Sequence, residues 1–169
     1  MKIEESFHVP ASLERVWEFI ADPLRMASCL PAVESVEVLD EFHYEVIVKQ
    51  KIGSISATFR IRTEILEKEA PFRMVLSNKG KTILGAAGLL KSTDTIVLQA
   101  AYPGDSQAIS SVTSDFWTEV RVVSQLTLGG QLAILGAKLI ESKSKELFAE
   151  ATANMKRMLA ADPAFPITR

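Results

Sequence analysis

The chain begins with residues typical of a strand and continues into two short amphipathic helices. Residues 3–9 alternate imperfectly between apolar and polar side chains and stop at a proline. Ser12 is a favourable N-cap for a helix over residues 13–20, whose apolar side chains recur at spacings of three and four and so form one face. Asp22 can cap a second helix, which starts with a proline and ends near Cys29.

From Val33 onward the apolar positions recur with a period of two, which is typical of strands that bury one face. The glycine–serine pair at 53–54 separates two such runs and predicts a hairpin turn. Further runs follow at short intervals, and consecutive short strands favour an antiparallel sheet. The predicted strands cover residues 42–49, 55–65, 93–101 and 115–127, with another through Phe72, Met74 and Leu76.

After Gly129 and Gly130 the apolar period becomes helical and remains so to about Ala160. A helix of about 30 residues is roughly 45 Å long. One sheet, two short helices and one long helix can bury their apolar faces together only if the sheet wraps around the long helix. The predicted fold class is therefore α+β, a curved antiparallel sheet wrapped around a long C-terminal helix, with two short helices after the first strand, in one domain over residues 1–169.

Apolar side chains at alternate strand positions point to one face of the sheet, and those of the long helix form one stripe. We predict that the two sets together line a single interior volume. Gly136 stands four residues after Leu132 and four before Ile140, so we expect it on the buried face of the long helix. A glycine inside a helix costs about 1 kcal/mol relative to alanine, which favours a close approach or a cavity above it. A leucine at this position would then fill the cavity. The candidate ligand-binding residues are Tyr44, Val46, Phe59, Ile61, Met74, Leu76, Val120, Leu132, Leu135, Gly136, Leu139 and Ile140.

Residues 83–90 form an uncharged apolar segment with two glycines. We expect a mobile loop at the mouth of the interior, able to touch a membrane or a protein partner; the alternative is a strand end packed into the core. The preceding Gly80-Lys81-Thr82 lacks the glycine that a phosphate-binding loop needs five positions earlier, where Val75 stands. A hairpin turn is the preferred interpretation of that segment.

The composition fits a folded domain and excludes several classes of partner. Apolar residues make up 47% and charged residues 24% of the 169 positions, as in a globular protein. A net charge of −2 provides no overall field to attract nucleic acid, so no nucleic-acid partner is expected. The single cysteine cannot form an internal disulfide, and the N-terminal segment lacks the apolar core of a signal peptide, so we expect a cytoplasmic protein.

The sequence contains little chemistry for catalysis or for metal binding. His8 and His43 both fall in strand patterns, and His43 lies on the face opposite Tyr44. Without His, Cys and carboxylate residues clustered at ligand spacing, we expect no metal and no cofactor. Cys29 is expected to be a small buried side chain rather than a nucleophile. The expected protein is therefore not an enzyme and has no catalytic residues.

Five stretches carry a family resemblance: FHV at 7–9, VWEFIADP at 16–23, CLPAVESV at 29–36, KIGSISATF at 51–59 and GGQLAILGAKLI at 129–140. They resemble the carbon monoxide dehydrogenase G-subunit (CoxG) family of the START-like, Bet v 1-like (SRPBCC) superfamily, and this resemblance implies a helix-grip fold over nearly the whole chain. The sequence departs from the family where Ala32 replaces a usual glycine after Pro31 and where residues 101–114 lengthen one hairpin. We also expect that no anchoring extension follows residues 162–169.

Members of that family are associated with the membrane-linked maturation or operation of molybdenum-containing carbon monoxide dehydrogenases. The resemblance therefore implies a hydrophobic cavity that binds an apolar small molecule, such as a lipid or an isoprenoid quinone. It also implies an accessory role to such a dehydrogenase and transient, peripheral contact with the inner face of the cell membrane. It supplies no catalytic residues.

Two alternatives to a carrier stay open. One is a cyclase- or hydrolase-like enzyme of the same superfamily that uses Tyr44, Thr63 or Asn78 inside the cavity. The other is an accessory factor that binds only proteins and whose interior is filled by its own side chains. Mass spectrometry of a ligand extracted from the folded protein would separate the three hypotheses.

Overall fold

A computed structural model describes residues 1–101 and 116–161 of the chain. The elements there are β1 (Lys2–Val9), α1 (Leu13–Ala21), α2 (Pro23–Ser28), β2 (Val33–Val38), β3 (His43–Ile52), β4 (Ile55–Glu69), β5 (Arg73–Gly85), β6 (Gly88–Ala101), β7 (Trp117–Gly130) and α3 (Ala137–Ala161). The strands form one antiparallel sheet in the order β1-β7-β6-β5-β4-β3-β2. The expectations for residues 102–114 and 162–169 lie outside the described residues.

The two short helices begin where their capping residues predict. The Ser12 hydroxyl oxygen accepts a hydrogen bond from the Arg15 N–H at 3.3 Å and caps α1. The Asp22 carboxylate accepts one from the Leu24 N–H at 2.9 Å and caps α2, whose first residue is Pro23. Each cap satisfies a backbone donor that the helix itself leaves unpaired. The chain can therefore turn from α1 into α2 with a single residue between them.

One predicted hairpin is confirmed and another is wrong. Ile52 pairs with Ile55 across a two-residue turn in which Gly53 has a φ of +60°. By contrast, β5 runs without interruption through Gly80, where a turn was expected. A Cβ on Gly80 would lie 3.2 Å from Cγ1 of Ile61, so this glycine serves close packing within the sheet.

The chain reverses direction instead between Gly85 and Gly88. Gly85 has a φ of +91°, and a Cβ there would overlap the Ser56 backbone oxygen, so the turn requires glycine. Residues 83–90 are therefore paired strand ends and a tight turn, and the prediction of a loop is wrong. The alternative of packing into the core also fails for Leu84, which is 71% exposed.

The long helix is shorter than predicted. A 3₁₀ turn over Gln131–Ile134 occupies its expected beginning, and α3 starts at Ala137. Gly136 stands just before α3, is exposed, and accepts hydrogen bonds at its carbonyl from the N–H groups of Leu139 and Ile140. The prediction that Gly136 lies buried within the helix is wrong, because the residue caps the helix from outside.

α3 lies across the concave face of the curved sheet. Its Phe148 packs edge-on against Phe7 of β1, with ring centroids 5.6 Å apart. Near its end, the Asn154 amide donates a hydrogen bond to the Cys29 carbonyl at 2.9 Å. The predicted α+β class is confirmed: a curved antiparallel sheet wraps around a long C-terminal helix, and two short helices follow the first strand.

Buried apolar side chains on the concave side form two separate clusters. The first core surrounds α1 and the end of α3, and its members are Val9, Ala11, Val16, Trp17, Phe19, Ile20, Cys29, Ile65, Met74, Leu76, Ile96, Leu98, Val120, Met155 and Leu159. The second core lies toward the other end of the sheet and consists of Ala27, Tyr44, Val46, Val48, Ala57, Phe59 and Leu132. The interior is therefore divided into two parts.

Ala32 occupies a left-handed backbone conformation with a φ of +59°. The residue is exposed between α2 and β2, and its carbonyl accepts a hydrogen bond from the Lys49 N–H at 3.1 Å. A residue with a Cβ pays roughly 1–2 kcal/mol for this conformation, whereas glycine adopts it freely. The family that the sequence resembles usually has glycine at this position. The alanine therefore imposes a backbone strain that glycine would avoid.

We predict that Ala32→Gly raises the free energy of unfolding by about 1 kcal/mol, since relief of the strain exceeds the added entropy of the unfolded chain. The matched control is Ala149→Gly on the exposed side of α3. There the same change should lower the free energy of unfolding by about 1 kcal/mol. Urea unfolding of both variants measures the two effects, and a decrease for both would contradict the assignment of strain to Ala32.

Candidate functional site

The predicted ligand-binding residues divide between the two cores. Tyr44, Val46, Phe59 and Leu132 belong to the second core, with Ile61 and Leu135 packed against it, while Met74, Leu76 and Val120 belong to the first. Ile140 is buried, but Leu139 is 39% exposed and Gly136 is exposed. The expectation that Leu139 and Gly136 line the interior is wrong, because Gly136 precedes α3 and Leu139 stands beside the buried Ile140 on the exposed flank of the helix.

Polar side chains cross the concave face between the two cores. The Thr63 hydroxyl donates a hydrogen bond to Oδ1 of Asn78 at 2.7 Å. Nδ2 of Asn78 donates to Oγ of Ser92 at 3.0 Å and to Oδ2 of Asp94 at 2.7 Å. The Ser124 hydroxyl donates to Oδ1 of Asp94 at 2.5 Å. These bonds link four neighbouring strands into one network.

The register of the sheet brings these side chains together. Thr63 pairs with Tyr44 on one side and with Asn78 on the other, and Asp94 pairs with Ser124. The Tyr44 hydroxyl is hydrogen-bonded to the Thr63 side chain, which extends the network to β3. We name these residues the polar belt, which comprises Tyr44, Thr63, Asn78, Ser92, Asp94 and Ser124.

Asp94 is a half-buried carboxylate that accepts hydrogen bonds from neutral amide and hydroxyl groups. Burial raises the pKa of its carboxyl above the ordinary value, although hydrogen bonds from Ser124, Ser92 and Asn78 act in the opposite direction. None of the ion pairs in the described parts of the chain includes Asp94. The pKa of Tyr44 is also raised, mainly by burial and to a lesser extent by the charge of Asp94. Titratable groups shifted in this way concentrate at functional sites.

The space between α3 and the polar belt is incompletely filled. Inward side chains near the ends of α3, Ile140, Met155 and Leu159, are buried. Those at its centre are only half-buried, namely Lys143, Ser144, Leu147, Phe148, Ala151 and Thr152. The opposite belt residues Asn78, Ser92, Asp94 and Ser124 are half-buried as well. A fully packed core would leave these side chains inaccessible, so solvent reaches the centre of the concave face between the two cores, and we name this accessible strip the groove.

A cleft of about 340 Å³ opens beside the start of α3. It is lined by Met1, Leu126, Thr127, Leu128, Leu132, Ala133, Leu135, Ala137 and Ile140. Three predicted ligand-binding residues, Leu132, Leu135 and Ile140, therefore contribute to one concavity. Leu126 also pairs with Ser92 of the polar belt, so the cleft adjoins the belt on the side of β7.

One end of the molecule is both basic and apolar. The β3–β4 and β5–β6 turns, the end of β7 and the start of α3 meet there, as the proximity of Gly53 to Leu139 and of Gly88 to Leu132 indicates. We name residues 49–55, 79–91 and 129–139 the basic end, because they contain six lysines and no acidic residue. Its exposed apolar side chains include Ile83, Leu84, Leu89 and Ile134. Across residues 1–101 and 116–161, no helix combines the length and apolar character needed to cross a bilayer.

His43 and Cys29 each contact neighbouring side chains of the fold. His43 is on the outer face, as predicted, with Nδ1 2.8 Å from the Asp40 carboxylate. Cys29 is buried with its Sγ 3.9 Å from Sδ of Met158, and burial raises the pKa of its thiol to about 11. The thiol is therefore protonated at neutral pH. Within the described ranges, no three His, Cys, Asp or Glu side chains are grouped closely enough to hold a metal ion.

Sequence reasoning named three residues of the polar belt and missed Ser92, Asp94 and Ser124. A signal was present, because Asp94 stands two residues before the buried Ile96 and so has the inward parity of β6. Ser124 likewise stands four residues after the buried Val120 in β7. A carboxylate at an inward position of a strand is the feature that could have identified the site.

The chain matches the family model described as the G subunit of carbon monoxide dehydrogenase (CoxG) over residues 6–160. A conserved protein from Geobacillus kaustophilus has a similar structure, with a TM-score of 0.78, 18% identity and 95% of each chain covered. A START superfamily protein from Mycobacterium smegmatis has a TM-score of 0.65 at 11% identity, covering 94% of this chain and 97% of its own. No curated protein sequence matches significantly. At these identities the solved structures establish a START-like fold alone.

We predict that ionisation of Asp94 destabilises the folded state. Because its pKa is raised on folding, the folded state binds the proton more tightly than the unfolded state does. Stability is therefore lost as the pH rises from the ordinary value near 4 through the raised one. Asp94→Asn keeps the shape of the neutral acid. The Tm of the variant minus that of the unsubstituted protein should therefore increase as the pH rises from about 3 to about 6.

Asp40→Asn is the matched control with the opposite sign. Hydrogen bonds from His43 and from the Phe42 N–H lower the pKa of Asp40, so its stabilising contribution is lost as the pH falls. The Tm of this variant relative to the unsubstituted protein should decrease over the same rise in pH. Other titratable side chains that face the groove, and that both variants retain, are Glu5, Tyr44 and Lys143. Parallel trends in the two variants would contradict the assignment for Asp94.

Proposed function

Because the chain belongs to the carbon monoxide dehydrogenase G-subunit (CoxG) family, we propose that it is a non-catalytic carrier of an apolar small molecule, a lipid or an isoprenoid quinone. The molecule lies in the groove between α3 and the concave face of the sheet. The observation that carries this proposal is the half-buried centre of that face between two packed cores. Small-molecule sites typically combine apolar walls with placed polar groups, and here the polar belt lines the centre of the groove while the two apolar cores border it.

The cleft beside α3 serves as the entrance in this proposal. Its volume of about 340 Å³ lies at the lower end of the range for small-molecule sites, roughly 300–1,000 Å³. Eight of its nine lining residues are apolar, so aliphatic side chains can contact an apolar chain there, beside the polar backbone atoms that are also exposed in its wall. A ligand that enters beside Leu126 meets the polar belt next, because Leu126 pairs with Ser92.

The chemistry around the groove favours transport over catalysis. The hydroxyl and amide groups of the polar belt are bonded to one another and to Asp94 rather than arranged around a nucleophile. His43 lies on the opposite face of the sheet, and the Cys29 thiol is protonated at neutral pH. A carrier requires only that its ligand be buried reversibly.

Ligand exchange is proposed to occur where the basic end meets an anionic bilayer. A lysine near such a surface contributes about 1 kcal/mol of attraction, and all six lysines of the basic end are exposed. Exposed side chains such as Leu84, Leu89 and Ile134 can enter the headgroup region. The cleft opens between elements of the same end, so a ligand could pass from the bilayer into the groove without crossing bulk water.

The proposed enzyme partner is a molybdenum-containing dehydrogenase of the carbon monoxide dehydrogenase type. This step rests on family membership. It also agrees with the chemistry, because oxidation of carbon monoxide to carbon dioxide releases two electrons and a quinone accepts two. A carrier of quinone would connect such an enzyme to the membrane pool.

We predict that Ser144→Trp weakens binding of decyl-benzoquinone at least about tenfold, because the new ring fills the groove. Ser144 lies on the inward side of α3, four residues from both Ile140 and Phe148. Ser142→Trp places the same ring on the exposed side of the helix and should bind like the unsubstituted protein. Isothermal titration calorimetry measures both, and thermal melts verify that both variants fold.

The carrier proposal is also tested without any added probe. The purified protein should release a lipid or quinone on organic extraction, which mass spectrometry identifies, and Ser144→Trp should release less of it than Ser142→Trp. Equal amounts from the two variants, together with equal titrations, would contradict binding in the groove.

We predict that Lys79→Gln, Lys81→Gln and Lys91→Gln together weaken binding to phosphatidylglycerol vesicles by about two orders of magnitude, at roughly 1 kcal/mol for each lysine. Vesicles of phosphatidylcholine should bind poorly in every case. The control set replaces three exposed lysines elsewhere, Lys2, Lys68 and Lys156. Equal losses in the two sets, measured by vesicle sedimentation, would contradict docking through the basic end.

A further inference from the structure

The polar belt presents hydrogen-bond acceptors to the groove, while its hydrogens are already committed. Both amide hydrogens of Asn78 point to Ser92 and Asp94, and the Ser124 hydroxyl hydrogen points to Asp94. Ser92 is hydrogen-bonded to Asp94, and the Thr63 hydroxyl donates to Asn78. Because the Thr63 hydrogen is used there, the bond between Tyr44 and Thr63 takes its hydrogen from the Tyr44 hydroxyl. An ionised carboxylate has about four acceptor positions and a hydroxyl oxygen has two. Asp94, Ser92 and Ser124 therefore retain unused lone pairs.

The hydrogen bonds of the polar belt could form equally well if position 94 carried a neutral side chain. The network alone therefore does not explain the negative charge of Asp94. Burying a charge without a cation is costly. An asparagine at position 94 could accept from Asn78 and donate to Ser124 without that cost. The carboxylate can therefore accept a further hydrogen bond for which the described residues supply no donor. It faces the groove that a ligand would occupy.

Asp94 is a polar group from which apolar side chains extend in two directions along the concave face. Ile96 and Leu98 continue the same face of β6 into the first core, and Leu126 leads from the belt to the leucine and isoleucine side chains of the cleft. A molecule with one polar head and an apolar body matches this arrangement. Its body would lie along the cleft while its head reaches the belt.

Building on the proposed carrier function, we propose that the polar belt is a head-group site for a hydroxyl-bearing amphiphile. The ligand hydroxyl donates to the Asp94 carboxylate and to the oxygens of Ser92 or Ser124. Its chemical class is a phenol, a hydroquinone or a long-chain alcohol. A head that carries only carbonyl or ether oxygens finds no donor in the belt and binds more weakly, so the reduced form of a quinone is preferred over the oxidised form.

Two probes that differ only in a hydroxyl hydrogen-bond donor can be used to test this assignment. 4-Nonylphenol carries one hydroxyl, and 4-nonylanisole is its methyl ether with the same tail. The unsubstituted protein should bind the phenol at least about tenfold more tightly than the ether in isothermal titration calorimetry. Decyl-benzohydroquinone and decyl-benzoquinone, compared without oxygen, should differ in the same direction.

Asp94→Asn should reduce the preference for the phenol to about twofold or less while affinity for the ether stays within about twofold. Ser124→Ala is a second variant that removes an acceptor without a change of charge, and it should lower the preference partially. The control Asp40→Asn removes a carboxylate on the outer face and should leave the preference unchanged.

The outcomes distinguish this inference from the carrier proposal. If phenol and ether bind equally to the unsubstituted protein, or if Asp94→Asn and Ser124→Ala both preserve the preference, the head-group site is overturned while the carrier stands. If neither probe nor either quinone form binds at all, both proposals fall together. Loss of the preference in Asp94→Asn with retained binding of the ether supports the site.

Discussion

The concave face of the sheet is wider than one helix can cover, and α3 packs tightly against it only near its ends. Toward its C-terminus, Met155 and Leu159 enter the first core, where burial of each side chain is worth roughly 2 kcal/mol. At its N-terminus, Ile140 is buried beside the cleft. Between these two contacts the facing surfaces are polar on the sheet and half-exposed on the helix. The groove, the cleft and the division of the interior all follow from this incomplete coverage.

The polar belt gives that uncovered centre a specific character. An apolar centre of the same shape would tend to collapse or would accept any hydrophobic molecule, because burial of apolar surface has no directionality. The hydrogen bonds among Asn78, Asp94 and Ser124 hold polar atoms in fixed positions across three strands. Fixed polar atoms in an apolar setting are what allow a site to choose among ligands of similar size.

Local sequence patterns were sufficient for most strand centres, for the helix caps at Ser12 and Asp22 and for the α+β class, but they ended β5 before Gly80 and began β6 only at residue 93. They failed where one residue type serves several purposes. Gly80 packs inside the sheet and Gly136 caps a helix, and only the tertiary neighbours decide between these roles and a turn or a buried position. The polar belt was also beyond local patterns. Asp94 lies 16 residues from Asn78 and 30 from Ser124, so their contact depends on the register of three strands.

The six lysines of the basic end sit on a protein whose net charge is −2, and this has a kinetic consequence. Charges act over about 8 Å at physiological salt, so an approaching anionic surface responds to the nearest face rather than to the whole molecule. Residues 37–43 and 64–73, toward the opposite end of the sheet, hold six acidic residues against two lysines or arginines. In the proposed docking on an anionic bilayer, collisions through the acidic end are therefore repelled, and those led by the cleft are attracted. Once the lysines reach such a surface, the acidic end lies farther away than this screening distance, so it selects the orientation of the approach without opposing the contact itself.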